Sequence, residues 1–319
     1  MADLSIVIPN HNTRDLTLRC LASIARADPA AEVVLVDDAG TDGTAESAAE
    51  RFPRTLQIRT SEAVGFTRAA NLGMARASGE ILLLLNSDTE VEAPGLGALA
   101  AAFSADPQLG AAGATLHYPD GSLQWSGGRA PSLAWLFALA SGLAALLGRL
   151  PLYRRLKPPG EQGEAVEWVT GAALAVRRTA WEQAGPLDEE FRFYGQDLDL
   201  CVRLTEAGWK VALLPDFRVM HHHGATIGGS PGTGGGRQHP ELLWTDLLRW
   251  ARKHHGRAWA RCAGLALATG GAFRLLALAL SFPFVPRAQR TARREEADAF
   301  RRALAAVLPS VLAIPRRPV

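Results

Sequence analysis

The chain has 319 residues, 48% of them hydrophobic, and a formal net charge of +2. That length admits one large α/β domain or one domain with an appended segment, and that apolar content excludes wholesale disorder. Three cysteines, Cys20, Cys201 and Cys262, are too dispersed for a disulfide framework or a cysteine metal motif, so a reducing compartment is expected.

The opening residues, MADLSIVIPNHN, are punctuated by polar groups and do not read as a secretory signal. Leu4 to Ile8 is a β-branched run stopped by Pro9, and Asp15 to Ala27 has the apolar spacing of an amphipathic helix. Glu32 to Val36 is a second strand delivering Asp37-Asp38 to its end, followed by a turn over residues 39–44. Leu56 to Arg59 reads as a third strand, Gly65 to Ala77 as a helix and Ile81 to Leu85 as a fourth strand. Strands alternating with helices predict right-handed crossovers and a mostly parallel sheet. The run ILLLL ends abruptly in Asn86-Ser87-Asp88, as a buried parallel strand does when its carboxyl end opens into a site. Asp88 there holds a metal or phosphate-bearing ligand, or caps the next turn.

No G-x-G-x-x-G follows the first strand and no G-x-x-x-x-G-K-[ST] occurs, so phosphate must be held otherwise, most simply by a divalent cation on a strand-end carboxylate. Trp168 to Arg178 reads as a strand broken at Gly171, where a ligand can approach the backbone. Gln196 and Asp197 fall at a helix N-terminus, with Asp199 and Arg203 spaced to pair one turn apart. Asp197 is either a functional carboxylate or a cap. A short strand around Val211 to Leu214 precedes His221-His222-His223, which ligate a metal or sit in a polar loop. Gly228 to Gly236 reads as a mobile loop able to close over substrate.

With these pieces placed, the chain resembles the family 2 glycosyltransferases, and within them the bacterial rhamnosyltransferase-like branch. The resemblance runs through SIVIPNHN (5–12), VDDAGTDGT (36–44), Gly65-Phe66 with Asn71 and Gly73, LNSD (85–88), Gly171-Ala172, GPLDE (185–189), QDLD (196–199) with Arg203, and His221 with Gly224 and Thr226, in family order over about residues 4 to 256. It implies a GT-A fold, a mostly parallel sheet flanked by helices, and inverting transfer of a sugar from a dTDP- or UDP-sugar, with rhamnose a candidate. Pro9, Asn10 and Asp38 would line the base and ribose pocket, with Asn12, Gly65, Asn71, Asn86 and Gly171 completing the nucleotide-sugar site. Asp88 would bind Mg2+ or Mn2+, His221 would add a metal or diphosphate contact, and Asp197 would be the general base. The acceptor would be a glycan or a polyprenyl-diphosphate-linked sugar of the cell envelope. Asn86 in place of the first D-x-D acid and Gln196 in place of the Glu of a Glu-Asp pair are departures. They keep open an alternative, a catalytically impaired nucleotide-sugar or glycan-binding protein.

The resemblance places a GT-A domain over residues 1–256, with a donor half (1–115), an apolar-basic insertion (130–158) and an acceptor half (160–256). Residues 257–319 would form a helical, partly membrane-associated extension. From Arg249 onward fourteen Arg and Lys stand against three acids, a net of +11 that leaves −9 for residues 1–248. Leu133 to Leu147 and Ala258 to Val285 are apolar but short or interrupted, and read as interfacial segments or core helices. Their flanking basics (Arg149, Arg154, Arg155, Lys157; Arg287, Arg290, Arg293, Arg294) suit an anionic leaflet. Peripheral attachment to the cytoplasmic face of the cell membrane is expected, and nucleic acid is not, since few aromatics interleave with the tail's arginines.

Overall fold

A computed structural model describes residues 4–143, 166–191, 194–222 and 239–312. Its elements are, in order, β1 (Leu4–Asn10), α1 (Arg14–Ala27), β2 (Glu32–Asp37), α2 (Thr44–Arg51), β3 (Leu56–Arg59), α3 (Phe66–Arg76), β4 (Ile81–Leu85), β5 (Thr89–Val91), α4 (Gly95–Ala105), β6 (Leu109–His117) and β7 (Gly127–Gly128). There follow α5 (Leu133–Ser141), β8 (Trp168–Val169), β9 (Ala173–Arg177), α6 (Arg178–Ala184), α7 (Gln196–Glu206), β10 (Lys210–His221), α8 (Pro240–Ser281) and α9 (Arg290–Leu312). The chain divides into two compact units, one of residues 1–130 and 159–238, the other of residues 131–158 and 239–319. The expected domain end at 256 falls not at this division but at a break inside α8, described below.

The first unit is built on an eight-stranded sheet in the order β3-β2-β1-β4-β9-β6-β10-β5. The first four strands are mutually parallel, as predicted, and β10 is parallel to β6. β9 runs antiparallel between β4 and β6, and β5 antiparallel on β10, so the sheet is mixed. Central strands are apolar throughout because both faces are covered. Ile6 and Ile8 of β1 pack into one core with Leu18, Leu21 and Ile24 of α1, while Val7 between them packs into the other with Ala69, Ala70 and Met74 of α3. At Gly73 the helix approaches so closely that a Cβ would sit 2.3 Å from Val7 Cγ1. Cys20 and Cys201 are core residues, and burial pushes both thiols up to about 12. β10 is longer than the expected 211–214 strand, continuing past Pro215 through an irregularity in register between Leu214 and Arg218 to reach His221.

The second unit is helical. α8 is interrupted at Gly256 (φ 80, ψ 178), and its limbs fold back on each other, so that Trp244 of the first packs on Gly271 of the second. The apolar segment 258–285 is therefore one limb of a hairpin followed by a short 3-10 turn. α5 packs on Gly270, and α9 packs along α8 through Phe300, which meets Trp244 edge-on at 5.8 Å and lies under the Arg274 guanidinium at 4.5 Å. The outer face of the second limb stays exposed at Leu265, Phe273, Leu276 and Leu280, continuing to Phe284. The basic cluster at 149–157, the Gly228–Gly236 stretch, and Gly224 and Thr226 lie outside the described residues.

Candidate functional site

The carboxyl ends of β2, β1 and β4, the start of the reversed β9, and the end of β10 all lie at one edge of the sheet. Every expected site residue outside α3 and α7 sits on this edge, and the N-termini of those two helices are hydrogen-bonded to it.

The β1–β2 corner is a buried scaffold. The Asn10 amide donates to Asp37 Oδ1 at 2.9 Å and accepts from Thr13 and Thr17 at 2.6 and 2.8 Å. Pro9 lies beside it, paired in register with Val36. Asn12 (φ 54) accepts from the Thr41 N–H at 2.7 Å, pinning the turn after β2. Asp38, 5% exposed, takes three donors: Thr60 Oγ1 at 2.8 Å, Val64 N at 2.7 Å and Gly65 N at 2.8 Å. Asp38 thereby clamps the loop that enters α3, and Gly65 tolerates its φ of 86° because it has no Cβ. This loop borders a cavity of about 430 Å³ lined by Ala63, Val64, Gly65, Thr67, Arg68, Glu189 and Phe191. Its far wall is stitched to α3, since Thr67 Oγ1 donates to the Phe191 carbonyl at 2.8 Å and the Asn71 amide bonds Leu187 O and N at 2.9 and 3.0 Å. The 185–187 turn is held from behind by Arg203, which donates to Gly185 O and Pro186 O and pairs with Asp199 at 2.9 Å, the expected one-turn pair.

Asp88 lies just beyond β4, 1% exposed, with Oδ1 3.3 Å from Nε2 of His221, which is 6% exposed. β5 and β10 bring them together, His221 standing opposite Thr89 in register. Thr13 and Ser87 hydroxyls meet at 2.8 Å and tie this turn to β1. A residue with no part in the expectations, Gln124, exchanges two hydrogen bonds with His221: its Nε2 donates to the His221 carbonyl at 2.6 Å and its Oε1 lies 2.9 Å from Nδ1. The Pro119-Asp120-Gly121 turn was a visible signal of a hairpin here, but nothing local marked its partner.

Asp197 closes the edge. Asn86 N donates to Ala172 O at 3.0 Å, and the adjoining Gly171 N donates to Asp197 Oδ2 at 2.8 Å, so β4 and the start of α7 are linked through residues 171–172. The other carboxylate oxygen accepts from Leu198 N at 2.8 Å. Burial pushes the Asp197 carboxyl above its ordinary range, and the backbone donors of Gly171, Leu198 and Asp197 itself only partly offset this. Gln196 is 5% exposed, and among the described residues its Oε1 has no hydrogen-bond partner; the same holds for Asn86 Oδ1. Buried acceptors of this kind are costly unless a ligand donates to them.

Asp88 and His221 fit a divalent cation. Ligand bonds of about 2.1 Å on one ion set neighbouring donors about 3 Å apart, close to the separation seen. Among the described residues no group of three or more metal-binding side chains occurs, so substrate oxygens and water would have to complete the shell.

The description "Glycosyl transferase family 2" matches residues 5–168, and "Glycosyl transferase family group 2" matches residues 160–314. The chain is 33% identical over 263 residues to the N-acetylglucosaminyl-diphospho-decaprenol L-rhamnosyltransferase of Mycobacterium tuberculosis (strain H37Rv), covering 73% of this chain and 83% of that protein. Among solved structures it is similar to the mannosyltransferase PcManGT from Pyrobaculum calidifontis in complex with GDP-Man and Mn2+, with a TM-score of 0.56 at 19% identity over 98% of this chain and 89% of that one. GalNAc-T7 with UDP, GalNAc and Mn2+ gives a TM-score of 0.58 at 17% identity over 93% and 55%. These two likenesses establish the GT-A type of fold.

Proposed function

As a member of glycosyl transferase family 2 the chain is a glycosyltransferase, and we propose that it moves a hexose, with rhamnose the leading candidate, from a nucleoside-diphosphate sugar to a polyprenyl-diphosphate-linked acceptor. The observation that supports this is the single sheet edge that carries Asp88 and His221, is hydrogen-bonded to Asp197 through Gly171, and holds at the end of β2 the Asp38 that clamps the loop into α3. The acceptor class rests on the mycobacterial relative, whose name gives a diphospho-decaprenol substrate.

In this reading the loop held by Asp38 and the start of α3 grip the nucleotide. Asp88 and His221 hold a divalent cation, which when bound neutralises charge developing on the departing diphosphate. Asp197 accepts the proton of the acceptor hydroxyl as that oxygen attacks the anomeric carbon from the face opposite the leaving group, which inverts the configuration. The orphan acceptors of Gln196 and Asn86 receive hydroxyl donors from the sugars.

The lipid acceptor calls for a membrane surface. The second limb of α8 supports one, with an exposed stripe of Leu265, Phe273, Leu276, Leu280 and Phe284 followed by Arg287, Arg290 and Arg294. Seven charged residues between 293 and 302 on the adjoining α9 argue against the pair crossing hydrocarbon, so attachment is peripheral, on the cytoplasmic leaflet.

A panel of nucleotide-sugars screened by thermal shift with and without Mn2+ tests the reading. Metal-dependent stabilisation by a dTDP- or UDP-hexose, lost in Asp88→Asn, is expected. Equal stabilisation with and without metal would sink the cation assignment.

A further inference from the structure

We propose that Gln124 is a positioning residue for the cation site, fixing the proton of His221 on Nδ1 so that the Nε2 lone pair faces Asp88. The inference rests on the reading of Asp88 and His221 as cation donors given above.

The His221 carbonyl accepts, so the Gln124 atom 2.6 Å from it must be the NH2 end of the amide. That sets the amide's orientation and leaves Oε1, a pure acceptor, 2.9 Å from Nδ1. Nδ1 therefore carries the hydrogen. A neutral imidazole has one N–H, so Nε2 presents a lone pair, and 3.3 Å away lies a carboxylate oxygen, another acceptor. With the proton on Nδ1, the Nε2 lone pair and the Asp88 oxygen stand 3.3 Å apart, a separation that suits a shared cation.

Gln124 is itself held rigidly. Its N–H donates to the Leu116 carbonyl at 2.9 Å. The turn before it is closed by Tyr118 N to Ser122 O at 2.8 Å, by Asp120, whose Oδ1 accepts the Ser122 N–H at 2.9 Å, and by Gly121 at φ 81. Two residues on, Ser126 Oγ accepts the Leu116 N–H at 2.9 Å. The tautomer of a residue on β10 is thus set by a hairpin 97 positions earlier in the chain. Partners of this type orient the ring and raise ligand basicity, and their loss costs about 10- to 100-fold in metal affinity.

The test uses the full chain with Mn2+ and UDP or dTDP as probes. Free Mn2+ is followed by electron paramagnetic resonance, and the His221 ring nitrogens by 15N shifts in the Mg2+-loaded nucleotide complex. Wild type should show the proton on Nδ1. Gln124→Met should bind Mn2+ about 10- to 100-fold more weakly, while metal-free nucleotide affinity stays unchanged. A folded Gln124→Met with wild-type Mn2+ affinity overturns the inference, as does a wild-type proton on Nε2; the latter decides the matter even where the variant fails to fold. Asp88→Asn and His221→Ala are measured alongside. If both leave Mn2+ affinity intact, the cation reading falls and this inference with it; if they lose it while Gln124→Met keeps it, only this inference falls.

Discussion

The Gly171 amide donates to Asp197 Oδ2 at 2.8 Å, joining the backbone just before β9 to the carboxylate at the start of α7. The contact fixes where this carboxylate, the proposed base, stands, while burial raises its pKa.

A base must be deprotonated to act, so transfer should be present above the pKa of Asp197 and fall as pH drops through it. Because burial raises that pKa, the acid limb of the pH-rate profile should lie above the ordinary carboxylate range. Asp197→Asn should lower kcat by about 100- to 10,000-fold and leave nucleotide affinity intact, which steady-state kinetics and a binding titration would check.

Gln196→Glu puts a buried negative charge next in the chain to Asp197, the proposed base, which disfavours its ionisation. The acid limb should move to higher pH. An unmoved limb would show that the two side chains do not interact.

Asp38 receives three donors, so Asp38→Ala strands two backbone amides as well as the Thr60 hydroxyl. Unfolding in urea should show a loss of about 1–3 kcal/mol, the cost of unsatisfied donors, held to that range because these three are only partly buried and water can reach them. Nucleotide affinity should fall as the loop before α3 loosens; retained affinity with lost stability would limit Asp38 to scaffolding.

Gly73→Ala drives a methyl group into Val7 and Val36 at the β1–α3 interface, 2.3 and 2.9 Å from their nearest carbons. Overpacking of this kind costs about 1–3 kcal/mol, seen as a lowered Tm with kcat unaffected.

Leu276→Glu combined with Leu280→Glu puts two charges on the exposed stripe of α8. Co-sedimentation with anionic vesicles should drop at least tenfold, since each leucine contributes about 1.5–3 kcal/mol when buried, while Tm stays as in wild type. Undiminished sedimentation would remove this face as the attachment surface.

The parallel half of the fold was legible because three of its four strands, β1, β2 and β4, are apolar runs that give way to polar residues at Asn10, Asp37 and Asn86, with amphipathic spacing between. β6 was not, since LGAAGATLH lacks a strand's bulk, and its small residues become intelligible only against their neighbours: a Cβ at Gly113 would come within 2.6 Å of Val169. The apolar pattern of β10 ends at Leu214, before Pro215, whereas the register irregularity after Leu214 carries the strand on to His221. That Asp88 follows a strand and Asp197 opens a helix was readable from the local pattern, whereas the roles expected of them and of His221 came from the family resemblance. The clamping by Asp38 and the bonding of Asn71 to Leu187 were not, because their partners lie 22 to 27 and 116 residues away. Gln124 escaped for the same reason.

The reversed direction of β9 means that its beginning, not its end, borders the reacting groups, and one dipeptide, Gly171-Ala172, touches Asn86 on one side and Asp197 on the other. A shift of this dipeptide would therefore move both contacts at once, so Asn86 and Asp197 are coupled through a single stretch of backbone.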